Sequence, residues 1–215
     1  RERKYQYSWE KREMVYPKFF GKKVYHSISI SELIEFIDWS PFFWTWGLKG
    51  FYPNILNSKK FGKQATQLFF DAQQHLKTIA SKNIFKPKGV LGFWPANNIG
   101  DDVELYASLT DSKSLEAFSF LRQQRKKTEK EPYGCLADFV APKGCGFRDY
   151  MGLFAVTIGS EVEAYSTRFA DKHDDYNAIM IKSIGDRLAE AFAEKLHKIA
   201  RDHCEFGKKE TLSIE

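Results

Sequence analysis

Three acidic residues in the last quarter of the chain are spaced so that they could act together. Asp186, Glu190 and Glu194 lie four residues apart, and on a helix this spacing stacks them along one face. Like charges at this spacing cost an isolated helix about 0.2–0.5 kcal/mol per pair, and only Glu194 has a favourably placed later base, Lys198. Two interpretations stay open: the row is a solvated helix face, or it meets a cation or hydroxyl groups of a ligand.

The other chemistry-bearing residues form no recognisable catalytic or metal motif. His173, Asp174 and Asp175 are similar to a metallohydrolase fragment but lack partners at ligand spacing; the alternative is a helix start capped by one of the aspartates. Gly144 and Gly146 supply a pair where a dinucleotide-binding loop needs a glycine triplet. No serine has a nucleophile-elbow context. We therefore expect no catalytic residue and no metal site in this chain.

The acidic row needs a long helix, and the apolar pattern predicts one over about 174–202, with Leu188 at the centre of the opposite, apolar face. A second strong helical pattern covers 61–80, and a short helix is predicted around 160–171. Residues 29–32 (SISE) fit a capping box that opens a further short helix.

The remaining segments favour strands and one aromatic loop. The strand candidates are residues 89–94, 103–105, 136–140 and 151–158, whereas 115–121 fits a strand or a helix. The segment 151–158 is apolar enough to be a central strand. The aromatic loop 39–52 either fills a core or lines a pocket. The pattern predicts an α+β fold: a single mixed domain with a twisted, largely antiparallel sheet, flanking helices and a long C-terminal helix.

Composition limits the possible partners and location. The net charge is +5 among 215 residues, with basic groups at 1–4, 11–12 and 125–130, whereas nucleic-acid binders usually carry a denser basic stripe. The longest apolar run, 150–158, is far short of the roughly 20 residues of a membrane span. An odd count of three scattered cysteines favours reduced thiols. We expect no nucleic-acid partner, no membrane association and a cytoplasmic location.

The two ends of the sequence indicate a fragment. The chain begins at Arg1 without an initiator methionine and stops without a terminating pattern. Residues 1–23 alternate polar and aromatic types, with Pro17 and Gly21 as breakers, and are predicted to form an extended arm. We expect one domain over 1–215, truncated at its C-terminus.

Several collinear stretches between about 24 and 203 form a recognisable set of motifs. The stretches are residues 36–43 (FIDWSPFF), 92–97 (GFWPAN), 100–104 (GDDVE), 121–124 (LRQQ), 135–143 (CLADFVAPK), 149–157 (DYMGLFAVT), 173–180 (HDDYNAIM) and 186–194 (DRLAEAFAE). In this order they resemble the S-adenosylmethionine-binding activation domain of cobalamin-dependent methionine synthase, and their shared order is stronger evidence than any one of them alone.

This resemblance implies a function that composition does not reveal. Such a domain holds S-adenosylmethionine, which supplies the methyl group when cob(II)alamin is reductively remethylated to the active cofactor. The implied ligand is S-adenosyl-L-methionine, and the cobalamin is held by a neighbouring domain of the same polypeptide. The implied partners are that cobalamin-binding domain and a flavodoxin or reductase that donates the electron. The chain would thus be part of a methyltransferase of methionine biosynthesis, without turnover of its own.

The resemblance also implies roles for individual carboxylates. Asp38 corresponds to a ligand-contacting aspartate, and Glu190 to a ligand-contacting glutamate. Asp186 corresponds to a position that contacts the cobalamin domain, whereas Glu194 is expected to be a surface residue. Anionic acceptors suit a ligand with an ammonium, a sulfonium and a ribose diol.

One family segment is missing, and two other functions remain open. An Arg-Pro-x-x-Gly-Tyr-Pro segment, which wraps much of the ligand, should follow the long helix, and the chain ends before it. We therefore expect the 215-residue chain to bind S-adenosylmethionine weakly or not at all. The alternatives are a non-catalytic docking module for the cobalamin domain and a flavodoxin-type electron donor, and a stand-alone S-adenosylmethionine-binding protein. The mild basicity of the chain would suit an acidic flavodoxin, and reversing a few of Lys126, Lys127 and Lys130 would test the docking module.

Overall fold

The computed structural model describes residues 4–5, 7–9, 16–26, 28–128 and 131–205. The described residues group into two compact units. Unit 1 takes the described parts of 1–23, 91–153 and 200–208, and unit 2 takes those of 24–90 and 154–199. Much of the predicted arm and the basic positions 1–3, 11–12 and 129–130 lie outside the described residues, so the predictions made there stay predictions.

Helices account for most of unit 2. They are α1 (Ile30–Ile34), α2 (Ser40–Thr45), α3 (Gly62–Ser81), α4 (Glu161–Ala170) and α5 (Asp175–His203), with a short 3-10 helix at Asn54–Asn57. The predictions over 61–80, 160–171 and 174–202 are confirmed within two residues. The aromatic loop is partly helical, because Pro41 stands in the first turn of α2, where a missing N–H costs nothing.

Local capping explains where two of the helices begin. The predicted capping box of α1 is present: the Ser29 side chain accepts from the backbone N–H of Glu32, and the Glu32 side chain accepts from the backbone N–H of Ser29. At the start of α5, Asp174 Oδ1 accepts from the N–H of Asn177 at 3.1 Å. Asp174 is therefore the capping aspartate, and the capping alternative for this acidic stretch is confirmed.

A single apolar core fills unit 2 and is built mainly from α3 and α5. Leu76 and Ile79 of α3 and Leu188 and Phe192 of α5 are almost completely buried in it. Burial of such side chains contributes roughly 1.5–3 kcal/mol each. Helices α4 and α5 also approach closely: a Cβ on Gly185 would lie 2.6 Å from Val162 Cγ1.

The described residues form five strands in one sheet. They are β1 (Gly21–Tyr25), β2 (Lys88–Ile99), β3 (Asp102–Leu105), β4 (Glu116–Ser119) and β5 (Asp149–Thr157), in the order β1-β2-β3-β4 with β5 also pairing with β2. The β2–β3 and β3–β4 pairs are antiparallel. Gly100, with φ +73°, occupies the two-residue turn between β2 and β3, where glycine tolerates this conformation.

The predicted α+β class, with a largely antiparallel sheet, flanking helices and a long C-terminal helix, is confirmed. The ambiguous segment 115–121 contains β4. The strand predicted at 151–158 is β5, but its expected central position is wrong: β5 lies off the β1-β2-β3-β4 path and pairs with β2, and four of its nine residues are exposed. The strand predicted at 136–140 is wrong, because Leu136–Phe139 is a 3-10 helix. The 3-10 helix has a local cause: the carboxylate of Asp138 accepts a hydrogen bond from the N–H of Cys135 at 3.0 Å, which closes a turn.

Unit 1 contains a charged cluster centred on Arg122. The guanidinium of Arg122 binds Asp101 through Nε and Nη2 at 3.2 and 2.7 Å, and Asp138 through Nη1 and Nη2 at 2.6 Å each. Nη1 also donates to the carbonyl oxygen of Tyr133. Five donor contacts thus use the full hydrogen-bonding capacity of Arg122.

These contacts shift the ionisation of both aspartates. Hydrogen bonds from Arg122 and Lys4 lower the pKa of Asp101 to about 2. Burial raises the pKa of Asp138, but hydrogen bonds from Arg122 and from the Cys135 N–H outweigh it, so the pKa is lowered. The side chain of Asp138 is only 3% exposed, which makes its partner important, since a buried charge without one is strongly destabilising.

Other sequence expectations concern the surface and the thiols. Arg125 and Lys126 are exposed, whereas Lys127 is half-buried and donates to the carbonyl oxygen of Pro132 at 2.8 Å. The three cysteines are free. Within the part of the chain that the structure describes, no helix combines the length and apolar character needed to span a membrane.

Substitution of Gly185 by alanine tests the close approach of α4 and α5. Alanine favours a helix by about 1 kcal/mol, but its Cβ would meet Val162, whose branched side chain is stiff. We expect Gly185→Ala to lower the free energy of unfolding by about 1–3 kcal/mol in urea titrations. Lys182→Ala, at an exposed position of the same helix, should change it by less than about 0.5 kcal/mol. A stabilised Gly185→Ala protein would contradict the close contact.

Substitution of Arg122 by methionine tests the charged cluster. Above about pH 5, Arg122→Met leaves Asp138 buried and unpaired, and we expect a loss of about 3 kcal/mol of unfolding free energy. The wild-type contribution comes from carboxylates with lowered pKa values, so it is present above the unfolded pKa of about 4. It is lost as the pH falls through the folded values toward about 2 for Asp101.

The stability gap between the two proteins should therefore shrink between about pH 5 and pH 3. Denaturant titrations across this pH range measure it. Substitution of the exposed neighbour, Arg125→Met, is the control. It should leave the free energy of unfolding unchanged at both ends of this pH range. An equal gap at both ends of the range would show that the aspartate charges do not cause the loss.

Candidate functional site

The acidic row lies on the exposed face of α5, as its spacing predicts. Asp186, Glu190 and Glu194 are all exposed, whereas Leu188 on the opposite face is completely buried. Because the apolar face is fixed in the core, the row has a fixed direction. The row can therefore present carboxylates to a ligand with little motion of the backbone.

Glu190 has a neighbour that the sequence interpretation missed. Arg187 Nη1 lies 2.7 Å from Glu190 Oε2, one turn earlier on α5. The side chain of Glu190 is 56% exposed and that of Arg187 is 17% exposed. Arg187 thus holds one oxygen of Glu190 and leaves the carboxylate accessible. The spacing of three residues was a readable signal for this pair.

Asp38 lies between α1 and α2, in unit 2 with the row. Its carboxylate is exposed, and Oδ1 accepts from the backbone N–H of Ser40 at 2.9 Å. Ser40 is the first residue of α2 and is itself buried, and its hydroxyl accepts from the N–H of Tyr52. Asp38 is consequently fixed by its backbone surroundings, with its second oxygen directed to no partner among the described residues.

A charged contact joins the elements that carry Asp38 and Glu190. Lys195 Nζ, on α5, lies 2.7 Å from Glu32 Oε2 on α1. The ammonium groups of Lys195 and Lys198 also lie 5.7 and 5.8 Å from the centre of the Phe36 ring. Asp38 and Glu190 therefore belong to segments held together through α1 and α5.

The start of α5 is attached to α3 by two side-chain hydrogen bonds. The Tyr176 hydroxyl donates to Asp71 Oδ2 at 2.7 Å, and His75 Nε2 lies 2.8 Å from Asn177 Oδ1. Burial, followed by the bond to Asp71, raises the pKa of Tyr176 above its ordinary value. These contacts assign a structural role to the stretch 173–180.

The aromatic loop 39–52 divides between the core and the surface. Trp39, Phe42 and Phe43 are buried in the core of unit 2, whereas Trp44 and Phe51 are 48% and 68% exposed. The exposed part lines a hollow of about 420 Å³. Its walls are Trp44, Gly47, Leu48, Lys49, Gly50 and Phe51. Both earlier alternatives, core filling and pocket lining, therefore hold for different halves of the loop.

A larger cleft, of about 880 Å³, lies in unit 1 beside the charged cluster. Its walls are Lys4, Ile99, Gly100, Asp101, Asp102, Arg122, Gln123, Gln124 and Tyr133. Arg122 has no donor to spare for an anionic ligand, because its contacts are all internal. Among the described residues, no three His, Cys, Asp or Glu side chains are grouped closely enough to hold a metal ion. The cleft is a weaker candidate than the carboxylates of unit 2.

The geometry of unit 2 suits a cationic or hydroxyl-bearing ligand. Asp38 and Glu190 are anionic acceptors on fixed elements, and ionised acceptors make hydrogen bonds about twice as strong as neutral ones. No structural feature assigns to Asp186 its expected contact with another domain, which stays a prediction.

The attachment of α5 to α3 yields a test at Tyr176. Asp71→Asn removes the negative charge that the tyrosine hydroxyl faces, so the pKa of Tyr176 should fall toward its ordinary value of about 10. Near-ultraviolet titration detects this, with the spectrum of a Tyr176→Phe protein subtracted to remove the other tyrosines. An unchanged midpoint in Asp71→Asn would contradict the hydrogen bond.

Comparison with known proteins identifies the family. The model of the vitamin B12 dependent methionine synthase activation domain matches residues 29–215. A crystal structure described as the MetH reactivation domain bound to AdoHcy is 42% identical to this chain and superimposes with a TM-score of 0.93. The alignment covers 99% of this chain and 65% of that one. The resemblance found in the sequence is confirmed: the chain belongs to the family of vitamin B12-dependent methionine synthase activation domains.

Proposed function

We propose that this chain is the S-adenosylmethionine-binding module that supports reductive remethylation of cob(II)alamin in a cobalamin-dependent methionine synthase. The observation that carries the proposal is the likeness to the AdoHcy-bound reactivation domain, at 42% identity over 99% of this chain. AdoHcy is what remains of S-adenosylmethionine after its methyl group has been given up. A site that holds the one is thereby suited to the other.

The carboxylates of unit 2 supply the chemistry that such a ligand needs. Asp38 and Glu190 would accept hydrogen bonds from its ammonium group or its ribose hydroxyls. The ligand supplies an electrophilic methyl group when bound. The protein's part is to bind and orient the ligand, which costs less when the accepting groups are already fixed, as the N–H of Ser40 fixes Asp38 and Arg187 fixes Glu190.

The proposed partners follow from the same assignment. Cobalamin would be held by a neighbouring domain of the polypeptide, with Asp186 at the contact with that domain. A flavodoxin or a reductase would donate the electron. The module would form part of a methyltransferase and would have no turnover when isolated. A cytoplasmic location is consistent with its three free thiols.

A docking function is the second candidate, and the exposure of Arg125 and Lys126 favours it. In that case the chain would engage the cobalamin domain and an acidic, flavodoxin-type electron donor without binding S-adenosylmethionine. Lys127 would contribute less, because it is already bonded to Pro132. Reversal of the Arg125 and Lys126 charges should then weaken binding of the electron donor. If the chain binds S-adenosylmethionine, as the first candidate requires, the same changes should leave the affinity for that ligand unchanged.

Calorimetric titration of S-adenosylmethionine and S-adenosylhomocysteine tests the first candidate. We expect binding by a version extended through an Arg-Pro-x-x-Gly-Tyr-Pro segment, and weak or undetectable binding by the 215-residue chain. In the extended version, Asp38→Ala or Glu190→Gln should weaken binding about tenfold or more, because each removes a charge-assisted hydrogen bond.

The matched control is Glu194→Gln, since Glu194 lies on the same exposed face of α5 one turn further on. It should leave the affinity within about twofold of the unsubstituted protein, a change worth only a few tenths of a kcal/mol. Binding by neither chain would contradict the proposal and favour the docking function. Equal losses from Glu190→Gln and Glu194→Gln would show that the row acts only through its total charge.

A further inference from the structure

Lys195, on α5, contacts the segment that contains α1. Its ammonium lies 2.7 Å from Glu32 Oε2, and only 18% of its side chain is exposed. The same ammonium lies 5.7 Å from the centre of the Phe36 ring, within the range of a cation–π contact. Two different groups of one short segment therefore hold this lysine.

Glu32 uses its two carboxylate oxygens for two separate tasks. Oε1 accepts from the backbone N–H and the hydroxyl of Ser29 at 3.1 and 3.0 Å, which caps α1. Oε2 accepts from Lys195. The hydrogen bond from Lys195, together with those from Ser29, lowers the pKa of Glu32 to about 2, so the carboxylate is ionised near neutral pH.

The segment between Glu32 and Asp38 is short and fixed along its length. Leu33 is completely buried, and Ile37 is nearly so. Phe36 carries the contacts to Lys195 and Lys198, and Asp38 follows two residues later. A displacement of α1 relative to α5 would thus be transmitted to the carboxylate of Asp38.

Glu190 stands five residues before Lys195 on the same helix, a rise of about 7.5 Å. Because α5 is continuous from Asp175 to His203, the position of Lys195 fixes that of Glu190. The Lys195–Glu32 contact is therefore a cross-link between the two segments that carry the proposed ligand-binding carboxylates.

We propose that Lys195 is a positioning residue, which sets the placement of Asp38 relative to Glu190 by binding Glu32 and the face of Phe36. The inference rests on the proposed function and extends it to a residue that need not touch the ligand. It also distinguishes Lys195 from Lys198, because among the described residues Lys195 is the one of these two lysines that pairs with a carboxylate of α1.

Three variants and one matched control test this role. Lys195→Met removes the charge, Glu32→Gln keeps an oxygen for the cap of α1 while removing the ion pair, and Lys195→Arg restores a cation. Lys182→Met is the control, because it breaks the Lys182–Glu163 ion pair, 3.1 Å long, on the same helix. Each is made in the 215-residue chain and in the extended version.

Hydrogen exchange of the amides at 36–40 is measured in the 215-residue chain. Calorimetric affinity for S-adenosylhomocysteine and S-adenosylmethionine is measured in the extended version. We expect Lys195→Met and Glu32→Gln each to speed hydrogen exchange of the amides at 36–40. Each should also lower the affinity for both ligands about three- to tenfold. A double variant that carries both Lys195→Met and Glu32→Gln should lose no more affinity than either single variant, and Lys195→Arg should retain most of the affinity. Lys182→Met should change neither quantity.

An unchanged rate of hydrogen exchange at 36–40 in Lys195→Met would overturn the cross-link, whatever the effect of the substitution on ligand affinity. Faster exchange with an affinity within twofold of Lys182→Met would overturn the positioning role. Failure of the proposed function has a different signature: the unsubstituted extended chain binds neither ligand, although exchange at 36–40 still responds to Lys195→Met. That result would also remove the positioning role, while leaving the cross-link as a structural contact.

Discussion

Burial of one face of α5 is the constraint on which the rest of unit 2 depends. The helix is 29 residues long, and its apolar side chains, with Leu188, Phe192 and Leu196 almost fully buried, fix both its depth and its rotation in the core. Because the helix cannot rotate about its axis without exposing these apolar side chains, the residues that face outward are determined. The carboxylates of the acidic row are exposed because the opposite face is not.

The parts of the structure that follow from local sequence could be predicted. The capping box at Ser29 and Glu32 and the long helix depend on residues no more than four apart, for which rules of spacing exist. The 3-10 helix at 136–139 was mispredicted as a strand, because its apolar residues resemble one and the deciding contact is made by the side chain of Asp138. Short apolar runs are ambiguous unless such contacts are known.

The candidate site was predictable to a smaller degree. Family resemblance implies the roles of Asp38 and Glu190, which stay predictions, and spacing predicts the row. Neither source reveals which contacts hold these carboxylates in place. The partner of Glu190 is three residues away, whereas Lys195 and Glu32 are separated by 163 positions. The Lys195–Glu32 contact depends on how α1 packs against α5. Residue spacing in a single sequence does not predict that packing. The sequence therefore predicts candidate accepting groups but not the contacts that support them.

The saturated guanidinium in unit 1 has an evolutionary consequence. Lysine carries the same charge as arginine but has three donors in place of five, without the planar fork that meets two carboxylates at once. A lysine at 122 would leave Asp101 or Asp138 short of a partner, and the more buried of the two aspartates would bear the cost. Among related chains, substitutions at Asp101, Arg122 and Asp138 should therefore occur together. The three residues should be kept as a set or replaced as a set, even where the surrounding loops diverge.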